Sequence, residues 1–399
     1  MKIRNRIKTM LLLALTISVL LGTYGGLGNA QAANTSSPVA IKQSVPLVEI
    51  APSVWSFDTK HTNIDFFINK GITYVSYKQA AAVFQDLVWS FDQKSGNLQI
   101  SGPNRTLSWK VNTTTAMLNG KTHPMSAAMM NKNGSLSIPL RDLVNWSGGS
   151  LSLYSNHIMT LSYKILNVVA GNSKGWYWVR KDNGLIYTAV GSGMPHNIGQ
   201  SAVRANQYAA MTLLQADTHT VVLQVIHNYG EPSLGNDLYK LLIYNGKLIR
   251  ESAVGYYGGS PVNSIAQAEG LTVMLNDTEL LLVRSNGTVQ QRFDLNKLGG
   301  LDEVYTVEYA SVKDGILLIR PFESRTLLLI DPKLDSPVVL YKELLSKEEQ
   351  VEFEKWEKNP TMPPREGLQF VKREGQTFTF THTGPTGEVT EGLTYTLAN

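Results

Sequence analysis

Leu241-Leu-Ile-Tyr-Asn-Gly-Lys-Leu-Ile249 is a β-hairpin legible in nine residues. Asn245 and Gly246 both tolerate positive φ, as a tight two-residue turn requires, and apolar residues run into the turn and out of it. The pattern recurs on both sides. Trp176-Tyr-Trp-Val-Arg-Lys-Asp-Asn-Gly-Leu-Ile-Tyr187 precedes it, Leu280-Leu-Leu-Val-Arg-Ser-Asn-Gly-Thr-Val289 follows, and Thr326 to Leu340 supplies a fourth. From the second hairpin onward, each follows another pair of strand-like runs: Met211 to Ile226, Ile265 to Met274 and Val304 to Ile319. A four-stranded unit of ~40–50 residues is the size of a propeller blade. Residues 166–399 are therefore expected to form a β-propeller-like domain of about five blades, with an irregular β-sandwich as the alternative. The domain includes an acidic helix over 346–358, which Ser346 and Glu349 can close with a capping box and which Val351 and Trp356 are expected to anchor. Pro360, Pro363 and Pro364 then force an extended connector to a last β segment, 366–399. That segment is expected to pair beside the Trp176 hairpin and close the ring, because both look short of partners.

Upstream, residues 47–165 contain an internal repeat. Ile72-Thr-Tyr-Val-Ser-Tyr-Lys-Gln-Ala-Ala-Ala-Val-Phe84 aligns with Leu136-Ser-Ile-Pro-Leu-Arg-Asp-Leu-Val-Asn-Trp146, bringing Val75 into register with Ile138, Ser90 with Ser152 and Ile100 with Leu161. Each half reads strand, short helix, hairpin. The Asn119-Gly120-Lys121 turn and the run Gly134-Ser-Leu-Ser-Ile-Pro-Leu-Arg-Asp-Leu-Val144 resemble the copper amine oxidase N-terminal-like, or stalk, domain, which commonly comes as two half-repeats. In the first half Val75-Ser76-Tyr77-Lys78 departs from the family's Pro and Arg. The resemblance implies a small α+β domain that acts as a peripheral stalk. It implies no metal site here, since in amine oxidases the copper lies elsewhere. The seven histidines include no pair at metal-ligand spacing, so neither copper nor any cofactor is expected. Asn228-Tyr229, followed by Gly230, reads as a strand end entering a loop.

The first 32 residues read as a secretory signal: Lys2, Arg4, Arg6 and Lys8, then an apolar run from Met10 to Leu21, then Ala30-Gln31-Ala32. Cleavage is expected after Ala32, followed by a flexible leader over 33–46. The run is too short for a stable span, which takes ~20 residues, so no membrane span is expected after cleavage. The signal carries four of the 36 Lys and Arg and none of the 32 Asp and Glu, so its removal leaves 32 of each sign. That neutrality, with no basic patch interleaved with aromatics, argues against nucleic acid as a partner. The absence of cysteine excludes disulfides and thiolate chemistry.

No catalytic motif stands out. Gly191-Ser-Gly193 and Gly255-Tyr-Tyr-Gly-Gly259 lack the ending of a phosphate loop. The carboxylates Glu231, Asp237, Glu269, Asp277, Asp302, Glu303 and Glu308 sit in no distinctive context. The aromatics are more suggestive, since exposed rings near Gly-rich loops can stack on sugars or grip a peptide. Tyr256 and Tyr257, taken to lie in a loop, and Trp176 and Trp178, which share one face of a strand, are the candidate ligand-binding residues. The expected protein is a secreted or cell-wall-associated, non-enzymatic binding protein, its stalk positioning a β-rich domain that binds an extracellular glycan or a surface protein. The alternatives are a secreted carbohydrate-active hydrolase and a purely structural envelope component.

Overall fold

A computed structural model describes residues 44–48, 62–132, 134–155, 158–232, 234–258, 264–357, 366–384 and 386–398. The expected signal, 1–32, and the leader as far as residue 43 lie outside them. The end of that leader is not loose chain: Ser44–Val48 is a strand paired antiparallel with Thr62–Asn69. Val45, Leu47 and Val48 suit a strand, and the polar residues before them had masked it.

The two half-repeats build the first domain. The strands Ile72–Ser76 and Ser135–Pro139 pair antiparallel, and the repeat-equivalent residues Val75 and Ile138 lie directly opposite each other. Each strand runs straight into a short helix, Tyr77–Val83 or Leu140–Ser147. The departure in the first half has a local role: Ser76 stands where the second half has Pro139, and its hydroxyl accepts the Gln79 N–H as an N-cap. A five-stranded meander, Val88–Asp92 to Lys121–Pro124, follows the first helix, and its last turn carries Asn119 and Gly120 at φ 51° and 77°. Leu98, Ile100, Leu107, Trp109, Ile138 and Leu143 fill the core between sheets and helices.

Residues 167–396 fold into five successive antiparallel sheets, each a meander in chain order, four of four strands and a last of three. Together with the first domain they make a mainly β chain, a small α+β domain followed by a β-propeller-like one. All four hairpins form at the places expected. The sheets stack face on face through their apolar sides. Val179 and Ile186 of the first blade meet Leu223, Val225 and Leu241 of the second. Val222 and Leu242 then meet Met274 and Val283 of the third. A larger cluster joins the third and fourth through Leu280, Leu282, Val307 and Ile319.

The expected ring closure is wrong in its strand pairing. The Trp176 strand, Gly175–Arg180, lies between Asn167–Asn172 and Leu185–Ala189, and His196–Gln200 completes that blade. The two outer strands are short, each contains a Gly, and His196–Gln200 is mostly polar, which hid them in the sequence. The C-terminal strands Leu368–Glu374, Thr377–Thr383 and Val389–Thr396 form their own sheet. That sheet packs on the fourth blade: Leu368, Phe378 and Phe380 meet Leu318 and Leu329. A buried ion cluster reinforces the contact. Arg320 of the fourth blade donates to Glu308, to Glu366, to the Arg325 carbonyl and to the Leu368 carbonyl. Burial pushes the Glu366 carboxyl up, opposed by the Arg320 charge.

The acidic helix spans Lys347–Glu357. Its capping box forms: Ser346 Oγ accepts the Glu349 N–H, and the Glu349 carboxylate accepts the Ser346 N–H at 2.9 Å. Its anchor differs from expectation. Val351 faces solvent and Phe353 is buried, packing edge-on against Tyr341 at 4.8 Å; the Trp356 side chain lies outside the described residues.

Candidate functional site

The four sequence-derived candidates separate on folding. Trp176 and Trp178 do share a face, and that face is turned against the first domain rather than a ligand. Trp178 is 0% exposed and its Nε1–H donates to the Asp86 carbonyl at 2.9 Å. Trp176 is half-buried in the same contact, beside Tyr187 and Val88. Asp86 itself accepts from the Tyr163 hydroxyl at 2.6 Å and from Asn167 Nδ2 at 2.8 Å. These groups pin the two domains together, which corrects the reading of Trp178 as a ligand-binding residue. Tyr256 is corrected likewise. It is 1% exposed, in the strand Lys247–Tyr257 and not in a loop, and its hydroxyl donates to the Tyr305 carbonyl. Alternation puts Tyr257 on the opposite side, 69% exposed.

That opposite side leads to the site. The second blade has strands of ten and eleven residues, Thr220–Tyr229, Gly235–Tyr244 and Lys247–Tyr257. The hairpin strands of the first blade, Gly175–Arg180 and Leu185–Ala189, have six and five. At ~3.3 Å per residue the longer strands project about 15 Å further. One end of the projecting face is covered, since Val221, Leu223 and Val225 pack on the first blade. At the other end His227, Tyr229, Asp237 and Tyr239 line an open cleft of about 710 Å³. The interdomain linker Lys164 to Leu166, the Lys181-Asp182 turn and the loop Arg204 to Gln207 complete its lining.

The register explains the arrangement. Tyr229 is opposite Gly235, which is opposite Tyr257, and His227 is opposite Asp237, which is opposite Gly255. The Tyr229 ring lies across Gly235 so closely that a Cβ there would sit 2.4 Å from it. His227 and Tyr229 stack, with centroids 4.9 Å apart. Asp237 orients both, accepting from the Tyr229 hydroxyl at 3.2 Å and from His227 Nδ1 at 3.3 Å. The second ring nitrogen of His227 lies 3.1 Å from the Asn206 side-chain oxygen. Gln207 accepts the Gly230 N–H at 2.8 Å and ties the loop to the strand end.

Burial lowers the His227 pKa against the opposing pull of Asp237, and the nearby Lys181 charge pushes it down further. The imidazole is therefore neutral near pH 7, with a single ring N–H to share between Asp237 and Asn206. Burial raises the Tyr229 hydroxyl, with Asp237 adding to it. The Asp182 carboxyl is held below the usual range by its bond to Arg180, 2.8 Å away. The cleft thus offers stacked rings, planar amides and fixed charges.

Sequence reasoning placed Asn228-Tyr229-Gly230 correctly at a strand end but did not pick out His227, Tyr239, Asn206 or Gln207. The signal that could have found them is the difference in strand length between the first two blades. Of the other carboxylates, Glu308 pairs with Arg320, Glu269 accepts from Ser311, and Asp302 accepts from Asn296. Among the described residues no group of three His, Asp or Glu could hold a metal ion, and no helix is long and apolar enough to cross a membrane.

No curated protein matches the chain. Solved structures similar to it include the WD40 domain of Neurospora crassa Pan2, at 12% identity and a TM-score of 0.21, covering 77% of this chain and 80% of that one. The family model of the copper amine oxidase N-terminal domain matches residues 58–153, the stretch that holds both strand-helix units. The first domain of this chain is a copper amine oxidase N-terminal domain.

Proposed function

We propose that this is a secreted or wall-associated, non-enzymatic binding protein whose stalk domain positions the β-propeller-like domain, and that the ligand is an extracellular glycan bound in the cleft between the first two blades. The observation that carries this reading is the projecting face of the second blade. It joins the stacked pair His227–Tyr229 to Asn206, Gln207 and Asp237. Sugar rings have an apolar C–H face that packs on an aromatic ring and a rim of hydroxyls that pair with planar amides and carboxylates. The secretory signal read in residues 1–32 supports the compartment.

A second reading, a glycan hydrolase, draws on Asp182 and Asp237 lining the same cleft. A glycosidase needs one carboxyl raised to act as a general acid. Asp182 is shifted the other way by Arg180, and Asp237 holds His227 and Tyr229, so the binding reading is preferred.

The test is calorimetric titration of the purified chain with soluble cell-wall glycan fragments, followed by chromatography of those fragments. The expected result is saturable binding of intact fragments, weakened about tenfold in Tyr229→Ala. Cleaved fragments would establish the hydrolase reading instead. Absence of binding, or full affinity in Tyr229→Ala, would overturn the assignment of the site. The compartment is checked by N-terminal sequencing of material outside the cell, which should begin at or near Ala33.

A further inference from the structure

We infer that the ligand is an oligosaccharide, with one sugar ring in the cleft on His227 and Tyr229 and the next on Tyr257, which makes Tyr257 a second stacking residue and the one that selects longer glycans over single sugars. This rests on the glycan-binding reading above and adds the length of the ligand and a residue outside the cleft lining.

Strand register puts Tyr257 on the same side of the second blade as the cleft residues. Tyr229, Gly235 and Tyr257 lie side by side on three neighbouring strands, and His227, Asp237 and Gly255 form the next row on that side. Gly235 places no side chain between the two tyrosines. The Tyr229 ring fills that space, lying where a Cβ on Gly235 would meet it at 2.4 Å. The ring therefore reaches over the middle strand, one strand spacing of ~4.8 Å from the backbone of Tyr257. The two residues are also within electrostatic reach: burial and Asp237 raise the Tyr229 hydroxyl most, and Tyr257 adds to that shift.

The first blade and the loop after it touch the strand Lys247–Tyr257 nearer its start. There a Cβ on Gly199 would meet the Leu248 side chain at 3.1 Å, and the Glu251 carboxylate accepts the Ala202 N–H at 2.8 Å. Tyr257 stands at the far end of that strand, 69% exposed. A glycan leaving the cleft across Gly235 passes over this ring next, and the apolar C–H face of its second sugar can pack there. Asp237 lies beside that path. A Cβ on Gly255 would sit 3.2 Å from its Oδ1, so the carboxylate leans toward the edge strand. That oxygen takes the Tyr229 hydroxyl and has a further lone pair for a sugar hydroxyl.

The test uses soluble cell-wall glycan fragments separated by length into single sugars, pairs and four-sugar pieces. They are titrated calorimetrically into the native protein, Tyr257→Ala and Tyr257→Phe, with single sugars measured by competition against the four-sugar piece. Circular dichroism confirms that both variants are folded. The expected result is that the native protein binds pairs and four-sugar pieces about three- to tenfold more tightly than single sugars. Tyr257→Ala should lose this gain while keeping native affinity for single sugars, and Tyr257→Phe, which retains the ring, should retain the gain. Equal affinity of the native protein for all lengths would overturn this inference and leave the glycan reading standing. A gain that survives in Tyr257→Ala would overturn the assignment to Tyr257, and a gain lost in Tyr257→Phe would overturn stacking as its cause. Weaker binding of single sugars in Tyr257→Ala would show that Tyr257 serves the same ring as Tyr229 and would overturn the second position. If no fragment binds, the glycan reading falls and this inference with it.

Discussion

Lys240 stands out energetically, and replacing it gives a prediction whose sign changes with pH. It sits in the strand Gly235–Tyr244, 8% exposed, on the side that faces the third blade, and its ammonium donates to the Val273 carbonyl at 2.5 Å. The neighbours on that side include Leu242, Val222 and Met274. Burial lowers its pKa from 10.5 to about 8. That difference, at about 1.4 kcal/mol per pKa unit, makes the charged form cost the folded state about 3 kcal/mol. The sign follows from proton counts. Below pH 8 both states carry the proton and the full cost is present. Between about 8 and 10.5 the folded state has lost it while the unfolded state keeps it, so stability rises with pH across that window. Above 10.5 the cost is gone. Lys240→Met removes the cost at pH 7 but also removes the hydrogen bond to Val273, a loss of about 1–3 kcal/mol for an orphaned buried carbonyl. The variant should therefore equal or exceed the native chain at pH 7 by up to about 2 kcal/mol and fall below it at about pH 11. The quantity to measure is the change in that difference between the two pH values, about 3 kcal/mol, from urea unfolding followed by tryptophan fluorescence. Other titrating groups are common to both proteins and cancel. An unchanged difference would show that Lys240 does not titrate in this window and would refute the reasoning.

Three further outcomes follow from other buried groups. Trp178→Ala should cost about 3–5 kcal/mol and split thermal unfolding into separate steps for the two domains, because Trp178 carries the hydrogen bond to Asp86; a single calorimetric transition at the native temperature would contradict that role. Arg320→Met should cost about 3–5 kcal/mol by stranding Glu366 and Glu308, and a loss below about 1 kcal/mol in denaturant titration would show that the C-terminal sheet is held by its apolar contacts alone. Gly235→Ala should lower glycan affinity about three- to tenfold by pushing the Tyr229 ring aside while leaving the unfolding midpoint near native, and unchanged affinity would show that Tyr229 does not need this seat.

The sequence by itself determined the four hairpins read from it and both half-repeats, because these depend on neighbours. Asn245-Gly246 turns the chain through its own backbone preferences, Ser346 and Glu349 cap a helix three residues apart, and Val75 and Ile138 occupy equivalent places in two copies of one motif. It also put Trp176 and Trp178 on one side of a strand, since alternation is a local rule. What alternation does not contain is which side meets what. Only the tertiary structure decided that the Trp178 side closes against Asp86, that Tyr256 goes into the core while Tyr257 stays out, and that the C-terminal strands cover the fourth blade instead of joining the first. The cleft is the extreme case. Its walls come from a linker, a turn, a loop and the ends of two strands, and it exists because long strands of one blade outreach the short strands of the next. Lys164, Lys181 and Arg204 become neighbours only through the backbone bonds of Leu166, Lys181 and Ala205. No pattern within a window of sequence can carry that, because the distances that make the site are set by how separate sheets stack.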